Sequence, residues 1–518
     1  MMKKILIIGG GFGGVFTAKY LLKALPKSIS NDVQIELISQ HNYFVFQPLL
    51  PEVSSGIINP HDAVSPLRTL IPKIKHRLAR VQYIDTKNNK VQVLQGRNKK
   101  LIEIEYDQLV IACGQKSQLN LPGFAQHSFS MQNLSDAFLL RNHVLKCLEL
   151  ADVTLDKKLK QHALTFVTAG AGFSGVETLG ELQDMVKRAL KYYPNISLNE
   201  AQFILLQRGE RILEQLPESL SAYAHKKLLK RGVDIRLHTG VARANRDYIE
   251  TSEGEKIHTL TTITTIGSAP LDFIQRGFEL QRGKIEVNTQ LQVLGHSNIW
   301  ALGDAALIPM HNTKGETEYA PPTAQFAVRE AKNLAYNLSQ HLTGKTLKPF
   351  KFNPLGVMAS LGAYQGVAQI YKLRLSGIVA WAMWRALYIT KVPGNIAKIR
   401  ITLNWVMDYF FPRTLVQIDT DKNELVEYMH FSKGDVICQK EEVIGYFYLI
   451  VSGSVLCENE QGSHTLKSQQ HFGADKQKQK NHHDFQISAL EQTKLLCIPW
   501  QNFALLRQDF KQFDGLFE

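Results

Sequence analysis

The chain contains two copies of one local pattern, an apolar strand that leads directly into closely spaced glycines and then into a helix. In the first copy, Ile5–Ile8 is followed by Gly9, Gly11 and Gly14, in the spacing G-x-G-x-x-G. The first glycine permits a tight turn, the second lets a pyrophosphate approach the backbone, and the third lets helix and strand pack closely. We therefore expect a dinucleotide site here, with a helix over Val15–Leu25. The alternative is a glycine-rich turn without a ligand.

The strand after this helix is expected over Val33–Ile38. In dinucleotide-binding folds the residue at its end is often acidic and holds a ribose hydroxyl. Here that residue is Ser39, whose hydroxyl can still form a hydrogen bond to a ribose, although without charge assistance.

The second copy begins with a strand over Leu164–Thr168 and continues through Gly170, Gly172 and Gly175, with Glu177 at the start of the next helix. Two strand–glycine–helix units in one chain imply two dinucleotides, which is what hydride transfer between a nicotinamide and a flavin requires. The predicted fold is therefore α/β, with two Rossmann-like dinucleotide-binding domains.

The following strand, Phe203–Leu206, also lacks an acidic residue at its end. Gln207 stands there, followed by Arg208 and Arg211. Glutamine does not repel a 2′-phosphate and a nearby arginine can attract one, so we expect the site to accept NADPH as well as NADH. The alternative is that both arginines are ordinary surface residues.

The order of these motifs resembles the two-dinucleotide-binding-domain flavoproteins and, within them, the type II NADH:quinone oxidoreductases, over about residues 3–415. Four further segments carry the resemblance: NYFVFQPLLPEVSSG (Asn42–Gly56), YDQLVIACG (Tyr106–Gly114), NIWALGDAA (Asn298–Ala306) and APPTAQFA (Ala320–Ala327). In Tyr106–Gly114, Cys113 replaces the usual threonine. Arg329 stands where this family usually carries glutamine, and Ala331 where it carries glycine. Arg329 would either line a quinone tunnel or lie on a helix surface.

The resemblance implies FAD as cofactor, NADH or NADPH as substrate and a membrane quinone as acceptor. It implies that Asp304 binds the ribityl chain, that Gln325 lies beside the quinone, and that Glu177 approaches nicotinamide and flavin. The alternative for Glu177 is a favourable charge at a helix N-terminus, and Glu181 is expected at the rim of the packing. The residues expected to hold the nucleotides are Gly9, Gly11, Phe12, Gly13, Gly14, Ser39, Gln47, Pro48, Ala112, Gly114, Gly170, Gly172, Gly175, Glu177, Gln207, Arg208, Gly267, Gly303, Asp304, Ala324 and Gln325.

The five cysteines are scattered and include no CxxC or CxxxxC pair. This spacing predicts no metal site and no disulfide framework. Sulfide:quinone oxidoreductases need cysteines near the flavin and disulfide reductases need CxxxxC after the first FAD helix, so both related classes are disfavoured.

Residues 373–413 contain three of the five tryptophans, Trp381, Trp384 and Trp405. An apolar helical face is predicted there, with Asn404 and Asp408 on the opposite face; its members are Ile399, Leu403, Val406, Met407 and Phe410. Pro393–Gly394 should divide the segment into two helices. The stretches are too short to span a bilayer, which takes about 20 apolar residues. Together with the net charge of +13, they predict helices lying on an anionic lipid surface. The alternative is a buried helical hairpin.

The C-terminal residues differ in texture, with short strand-like runs and turns. Phe431–Cys457 and Leu495–Leu506 resemble cyclic-nucleotide-binding β-rolls. That family uses an FGE turn and a phosphate-binding arginine, whereas this chain has FGA at Phe472–Ala474 and His483 near the arginine's place. Without the carboxylate and the guanidinium, we expect an all-β roll that does not bind cyclic nucleotide.

The expected layout is an FAD-binding domain in two parts (1–117 and 294–350), an NAD(P)H-binding domain (118–293), a membrane-binding segment (351–415) and a β-roll (416–518). The expected activity is NAD(P)H:quinone oxidoreduction without proton pumping, at the cytoplasmic face of the inner membrane, with no signal peptide. A homodimer is implied by resemblance alone, and no motif for nucleic acid occurs. The alternatives are a flavoprotein reductase with another acceptor, or a redox sensor.

Overall fold

The computed structural model describes residues 2–97, 99–311, 317–354, 356–418, 426–440, 446–460, 462–473, 483–499 and 503. Within them, two parallel sheets form the centres of two dinucleotide-binding units. The expected fold class is confirmed for these units and for the all-β C-terminal part.

The first unit is built on a five-stranded parallel sheet. Its strands, in order across the sheet, are Ile299–Ala301, Gln108–Ile111, Lys3–Ile8, Val33–Ser39 and Lys75–Leu78. The apolar residues of the central strand are fully buried because helices and strands cover both faces. The pairing of Ile299–Ala301 with Gln108–Ile111 shows that a late stretch of the chain returns to complete this sheet.

The first glycine-rich loop leads into a helix that begins earlier than predicted. The helix covers Phe12–Ala24, because the loop's own glycines form its first turn. It packs against the long helix Ala324–Leu342. Short elements of this unit are Lys27–Ser30, Tyr43–Val45, Gln47–Leu49, Leu50–Ser54, Val64–Pro66, Leu67–Leu70, Gly303–Ala305 and Ala306–Leu307.

The second unit has a four-stranded parallel sheet in the order Val233–Arg236, Gln202–Leu206, Thr165–Ala169 and Thr261–Thr264. Its larger helices are Leu134–Val153, Phe173–Ala189 and Glu218–Lys230. The smaller ones are Phe124–His127, Lys157–Ala163, Leu190–Tyr192, Leu198–Glu200 and Asp272–Gly277. The two units are joined where Lys116–Ser117 pairs with Ser268–Ala269, so the chain crosses between them at paired strands.

Antiparallel sheets flank the two units. They comprise Arg80–Asp85 with Lys90–Gln95 and Lys100–Glu105, Val241–Ala244 with Tyr248–Thr251 and Lys256–His258, and Gly356–Gly362 with Gln365–Ile370 and Leu373–Ser376. Shorter strands are Leu280–Gln281, Lys284–Glu286, Pro309–His311 and Thr317–Tyr319.

Two helices follow the last of these sheets, Gly377–Lys391 and Asn395–Phe410, and we call them the helical pair. The predicted break at Pro393–Gly394 is confirmed, since Gly394 adopts a φ of +91° that favours glycine. Among the described helices, none combines the length and apolar character that crossing a membrane requires.

The C-terminal part is a roll of two four-stranded antiparallel sheets. Their strands are Glu427–Phe431, Thr493–Pro499, Tyr446–Ser452 and His471–Phe472 in one, and Val436–Cys438, Gln486–Ala489, Ser454–Asn459 and Gly462–Lys467 in the other. The roll contacts the second unit through Asp435, whose carboxylate accepts from Tyr248 Oη at 2.9 Å and Lys256 Nζ at 3.0 Å.

Candidate functional site

The first glycine-rich loop forms a cradle whose three glycines have different physical roles. A Cβ added to Gly9 or to Gly14 would overlap backbone oxygen, that of Ala112 in one case and that of Gly9 itself in the other. A Cβ on Gly11 would meet nothing within 4 Å. The fold therefore requires the outer two glycines, whereas the middle one borders open space through which a ligand can approach the backbone.

The second loop repeats this arrangement. Gly170 has a φ of +101°, and a Cβ on it would lie 2.7 Å from Thr265 Oγ1. A Cβ on Gly175 would overlap the Gly170 carbonyl oxygen, while one on Gly172 again meets nothing within 4 Å. The two glycine-rich loops therefore share one backbone geometry, in which the middle glycine borders open space.

Each cradle ends at the N-terminus of a helix that lacks a side-chain cap. The helices start at Phe12 and Phe173, their N-cap residues are Gly11 and Gly172, and neither first turn holds an acidic residue. The first backbone N–H groups, including that of Gly13, are therefore offered to a ligand together with the positive end of the helix dipole. This donor set fits a pyrophosphate.

Other predicted residues surround the first cradle. Ser39 follows the buried strand residues and its hydroxyl lies against Gly10, accepting a hydrogen bond from His41 N–H at 3.3 Å. Gln47 Nε2 donates to the Gln132 carbonyl at 3.1 Å, and Pro48 stands in the first turn of the short helix that follows.

The strand Gln108–Ile111 leads past Ala112 to Gly114, which has a φ of +68°. Burial raises the pKa of the Cys113 thiol between them to about 12. A thiol that stays protonated at neutral pH is a poor nucleophile.

The turn at Gly303–Asp304 is held by a residue that sequence reasoning missed. Glu330 is buried and accepts a hydrogen bond from Gly303 N–H at 2.8 Å. Burial raises the pKa of Glu330 to about 7, and burial also raises the pKa of Asp304. The available signal was a carboxylate within the apolar stripe that Ala327 and Leu334 define at helical spacing.

The helix that begins at Ala324 is capped by Thr323, whose hydroxyl accepts from Phe326 N–H at 3.4 Å. Gln325 is half-buried in the first turn. Arg329 is exposed, with its guanidinium 5.4 Å from the centre of the Phe352 ring. Of the two interpretations of Arg329, this position favours a helix-surface residue.

Glu177 is buried, one turn into the helix of the second cradle. Its Oε1 accepts from Ser360 N–H at 2.9 Å and from Trp384 Nε1 at 3.1 Å. Burial raises the pKa of Glu177 to about 8, and the hydrogen bonds from Ser360 and Trp384 oppose the rise. At neutral pH this carboxyl group therefore holds a proton for most of the time.

The expectation that Glu181 lies at a packing rim is wrong. Its side chain is buried one turn after Glu177, with 2% of the residue exposed, and lies 3.4 Å from the hydroxyls of Ser55 and Ser360. Burial and the neighbouring Glu52 charge raise the pKa of Glu181. Sequence spacing alone could not reveal this, because the covering strand Gly356–Gly362 comes from a distant part of the chain.

Sequence reasoning also missed Glu52, another buried carboxylate. It accepts from Arg385 Nη2 at 2.9 Å and from Trp405 Nε1 at 2.7 Å, and so contacts both members of the helical pair. The Arg385 guanidinium lies 4.3 Å from the Trp381 ring centre and 4.8 Å from that of Trp405. Cation–π contacts of this kind strengthen when they are shielded from water.

At the far end of the second cradle, Gln207 Oε1 accepts from Ala171 N–H at 3.1 Å. Arg211 does not face this strand end, since its guanidinium donates to the carbonyls of Leu216 and Glu214 at 2.7 Å each. Arg208 is exposed. Gly267, with a φ of +60°, packs against the Gln118 side chain near the crossing between the units.

No group of three or more potential metal ligands occurs among the described residues. None of the five cysteines is joined in a disulfide. The described part of the site therefore offers pyrophosphate cradles and buried carboxyl groups as its chemical elements.

Three family profiles match the sequence. Residues 3–331 match Pyridine nucleotide-disulphide oxidoreductase, residues 355–414 match the NDH2 C-terminal domain, and residues 428–509 match the cyclic nucleotide-binding domain. The chain belongs to the pyridine nucleotide-disulphide oxidoreductase family. The NDH2 match covers the whole helical pair, and the resemblance to type II NADH:quinone oxidoreductases is confirmed.

Relatives in this family agree with that assignment. A "Probable NADH dehydrogenase" of Dictyostelium discoideum is 30% identical over 80% of this chain and 91% of its own length. The type II NADH:quinone oxidoreductase Ndh of Mycobacterium tuberculosis is 29% identical over 79% of this chain and 89% of its length. The structure of NDH2 from Plasmodium falciparum in complex with NADH superposes with a TM-score of 0.74 at 20% identity, covering 80% of this chain and all of that one.

The different roles of the glycines lead to a prediction for the second cradle. Gly172→Ala should leave the fold intact, because its Cβ points into open space, but should weaken ADP-ribose binding at least about tenfold by blocking the pyrophosphate. Gly175→Ala should instead destabilise the protein, because its Cβ overlaps backbone. Calorimetry and thermal unfolding measure the two effects. Wild-type affinity in a folded Gly172→Ala variant would contradict the cradle assignment.

Proposed function

We propose that this protein oxidises NADH on bound FAD and passes two electrons to a membrane quinone. The observation that carries the proposal is the position of Glu177, which belongs to the helix of one nucleotide cradle and is hydrogen-bonded to the helical pair through Trp384. Hydride arrives by way of the second cradle, and a lipophilic acceptor is met on the side of the helical pair. The names of the relatives, type II NADH:quinone oxidoreductases, support this reading.

The first unit fits FAD. The open side of Gly11 and the uncapped helix that starts at Phe12 would receive the pyrophosphate, and Ser39 would contact the adenosine ribose. The turn at Gly303–Asp304, fixed by Glu330, would hold the ribityl chain. When bound, the flavin supplies the capacity to accept a hydride and release two electrons.

The chain's own residues hold and move protons. Quinol formation consumes two protons, and Glu177 keeps one available because its pKa lies near 8. Gln325, at the start of its helix, would orient a quinone carbonyl through its side-chain amide. Glu181 lies one turn from Glu177 and faces the same serine, Ser360, so it is placed to share in proton supply.

The helical pair would rest on lipid. On the helix Asn395–Phe410, the predicted apolar face points away from the protein, with Ile399 61% exposed, Leu403 56% and Phe410 70%. Asn404 and Asp408 face inward instead, toward Asp62 and Arg188 respectively. Exposed apolar surface of this extent is typical of a docking face, and we propose peripheral attachment at the cytoplasmic face of the inner membrane without a proton-pumping role.

Trp384 does not share in that attachment. It is buried against Glu177, to which its indole N–H donates. Deleting the segment would also strip the buried carboxylates of their donors. Point substitutions on the exposed face are therefore the cleaner test of membrane attachment.

We propose the layout of domains given above, with the C-terminal roll as a structural unit that does not bind cyclic nucleotide. Ala474 and most of the segment expected to hold the phosphate lie outside the described residues. His483, at the place expected for the arginine, is buried. Binding of cAMP or cGMP at micromolar affinity by calorimetry would refute this part of the proposal.

The reaction class can be tested on the purified protein by its visible spectrum. We expect a yellow flavoprotein whose absorbance bleaches on addition of NADH under anaerobic conditions and recovers on addition of a short-chain quinone. Recovery with a protein or soluble acceptor but not with quinone would favour the alternative reductase. A preparation that stays colourless with excess FAD would overturn the proposal.

Glu177→Gln tests the proton donor. The amide can still accept from Ser360 and Trp384 but cannot titrate, so reoxidation by quinone should slow by about a hundredfold while reduction by NADH persists. In the wild type, the protonated fraction of Glu177 falls as pH rises through about 8, so reoxidation should slow over that range. Stopped-flow traces should show this pH dependence in the wild type and not in the variant. An unchanged profile in the variant would exclude Glu177 as the donor.

The membrane face is tested by Leu403→Asp combined with Phe410→Asp. Placing two charges on the exposed apolar face should release the protein from vesicles of anionic phospholipid, measured by co-sedimentation. The matched control is Leu155→Asp combined with Leu198→Asp, two exposed leucines of the second unit. Retention of the first variant, or equal release of both, would contradict the assignment of this face.

A further inference from the structure

The strand end at Gln207 is where dinucleotide-binding folds usually place the acid that reads the ribose 2′-position. In this chain the residue is Gln207, whose side-chain oxygen can replace one of the two carboxylate oxygens of that acid. Its Oε1 accepts from Ala171 N–H of the cradle at 3.1 Å, as a carboxylate oxygen would. Its other terminal atom is a donor, Nε2, and the question is what that donor faces.

The donor faces a carboxylate from the following loop. Gln207 Nε2 lies 2.9 Å from Glu214 Oε1. Gly209 makes room for this contact, because a Cβ on Gly209 would overlap the Glu214 carboxylate and approach Gln207 Nε2 at 2.9 Å. The acid that the strand end lacks is thus supplied from a residue seven positions further along the chain.

The loop itself is fixed at this point. The Arg211 guanidinium donates to the backbone carbonyls of Glu214 and Leu216 at 2.7 Å each, which holds the backbone that carries the carboxylate. Arg211 is therefore engaged in positioning Glu214 rather than in attracting a phosphate. The other arginine of the loop, Arg208, is exposed to solvent.

We infer that Glu214 is the specificity-determining residue that makes the second cradle select NADH against NADPH. The inference rests on the proposed function, in which this cradle binds the pyridine nucleotide. A ribose hydroxyl can donate to the Glu214 carboxylate. A 2′-phosphate would instead be repelled by the like charge of that carboxylate, and it would compete with the carboxylate for the Gln207 amide. The sequence-based expectation of NADPH acceptance is revised accordingly.

The experiment compares kcat/KM for NADH and NADPH in the wild type, Glu214→Gln and Gly209→Ala. The first variant removes the charge and keeps the shape, and the second displaces the carboxylate and keeps the charge. We expect the wild type to prefer NADH by more than about tenfold, and both variants to raise kcat/KM for NADPH at least about fivefold with NADH changed less than about twofold. Glu218→Gln, which removes an equal charge from the start of the next helix, is the control and should leave the ratio unchanged.

A binding measurement separates this inference from the proposed reaction. Calorimetry with ADP-ribose and 2′-phospho-ADP-ribose should show the same change of preference in both variants, without any turnover. If the wild type binds the phosphorylated ligand as tightly as the plain one, or if the variants keep the wild-type ratio, the role of Glu214 is refuted while NADH oxidation stands. If neither ligand binds and neither nucleotide is oxidised, the proposed function fails and the inference fails with it. A ratio that shifts equally in Glu218→Gln would reduce the effect to net charge and would also refute it.

Discussion

Two carboxyl groups buried away from water, Glu177 and Glu52, determine how the parts of this protein fit together. Burying a carboxyl group is costly unless it is hydrogen-bonded or neutralised. Glu177 is satisfied by the Ser360 amide and the Trp384 indole, and Glu52 by Arg385 and the Trp405 indole. Three of these four donors come from the helical pair. The segment proposed to lie on the membrane therefore stabilises the buried carboxyl groups of the two nucleotide-binding units. The redox core and the helical pair therefore depend on each other for stability.

The helix Asn395–Phe410 exposes most of its large apolar side chains, which is unusual for an amphipathic helix of a soluble protein. Two of its polar side chains face the protein: Asn404 donates to Asp62 at 2.8 Å, and Asp408 accepts from Arg188 at 3.3 Å. Ile401 is buried, whereas Ile399, Leu403 and Phe410 are exposed. A soluble protein would lose free energy by this arrangement, at roughly 25 cal/mol for each Å² of apolar surface left in water. An apolar environment on the outer side, as proposed for this face, would remove that loss.

Much of the fold could be predicted from sequence because its signals are local. A buried strand followed by spaced glycines constrains a short stretch of backbone, and both cradles appear where the spacing placed them. Glu181, Glu52 and Glu330 could not be assigned in the same way. Each carboxylate is buried by a segment far from it along the chain, such as the strand that carries Ser360 or the helix that carries Trp405. Hydrophobic periodicity shows which face of a helix a residue lies on, but it does not show which segment packs over that face. The pKa of a carboxyl group depends on that packing.

The end of the strand at Gln207 illustrates a related limit of motif reading. The acidic residue of the motif matters because it places a negative charge near a ribose hydroxyl. In a folded chain, a residue at another sequence position can supply that charge. Glu214 reaches the Gln207 amide at 2.9 Å because Gly209 leaves space for it and Arg211 fixes the loop. Judged by the strand-end residue alone, the site is neutral and flanked by arginines. Judged by its hydrogen bonds, Arg211 is bound to backbone carbonyls, and a carboxylate, that of Glu214, contacts the Gln207 amide. The inferred preference for NADH rests on the second description, because a phosphate responds to the local electric field and not to the order of residues in the sequence.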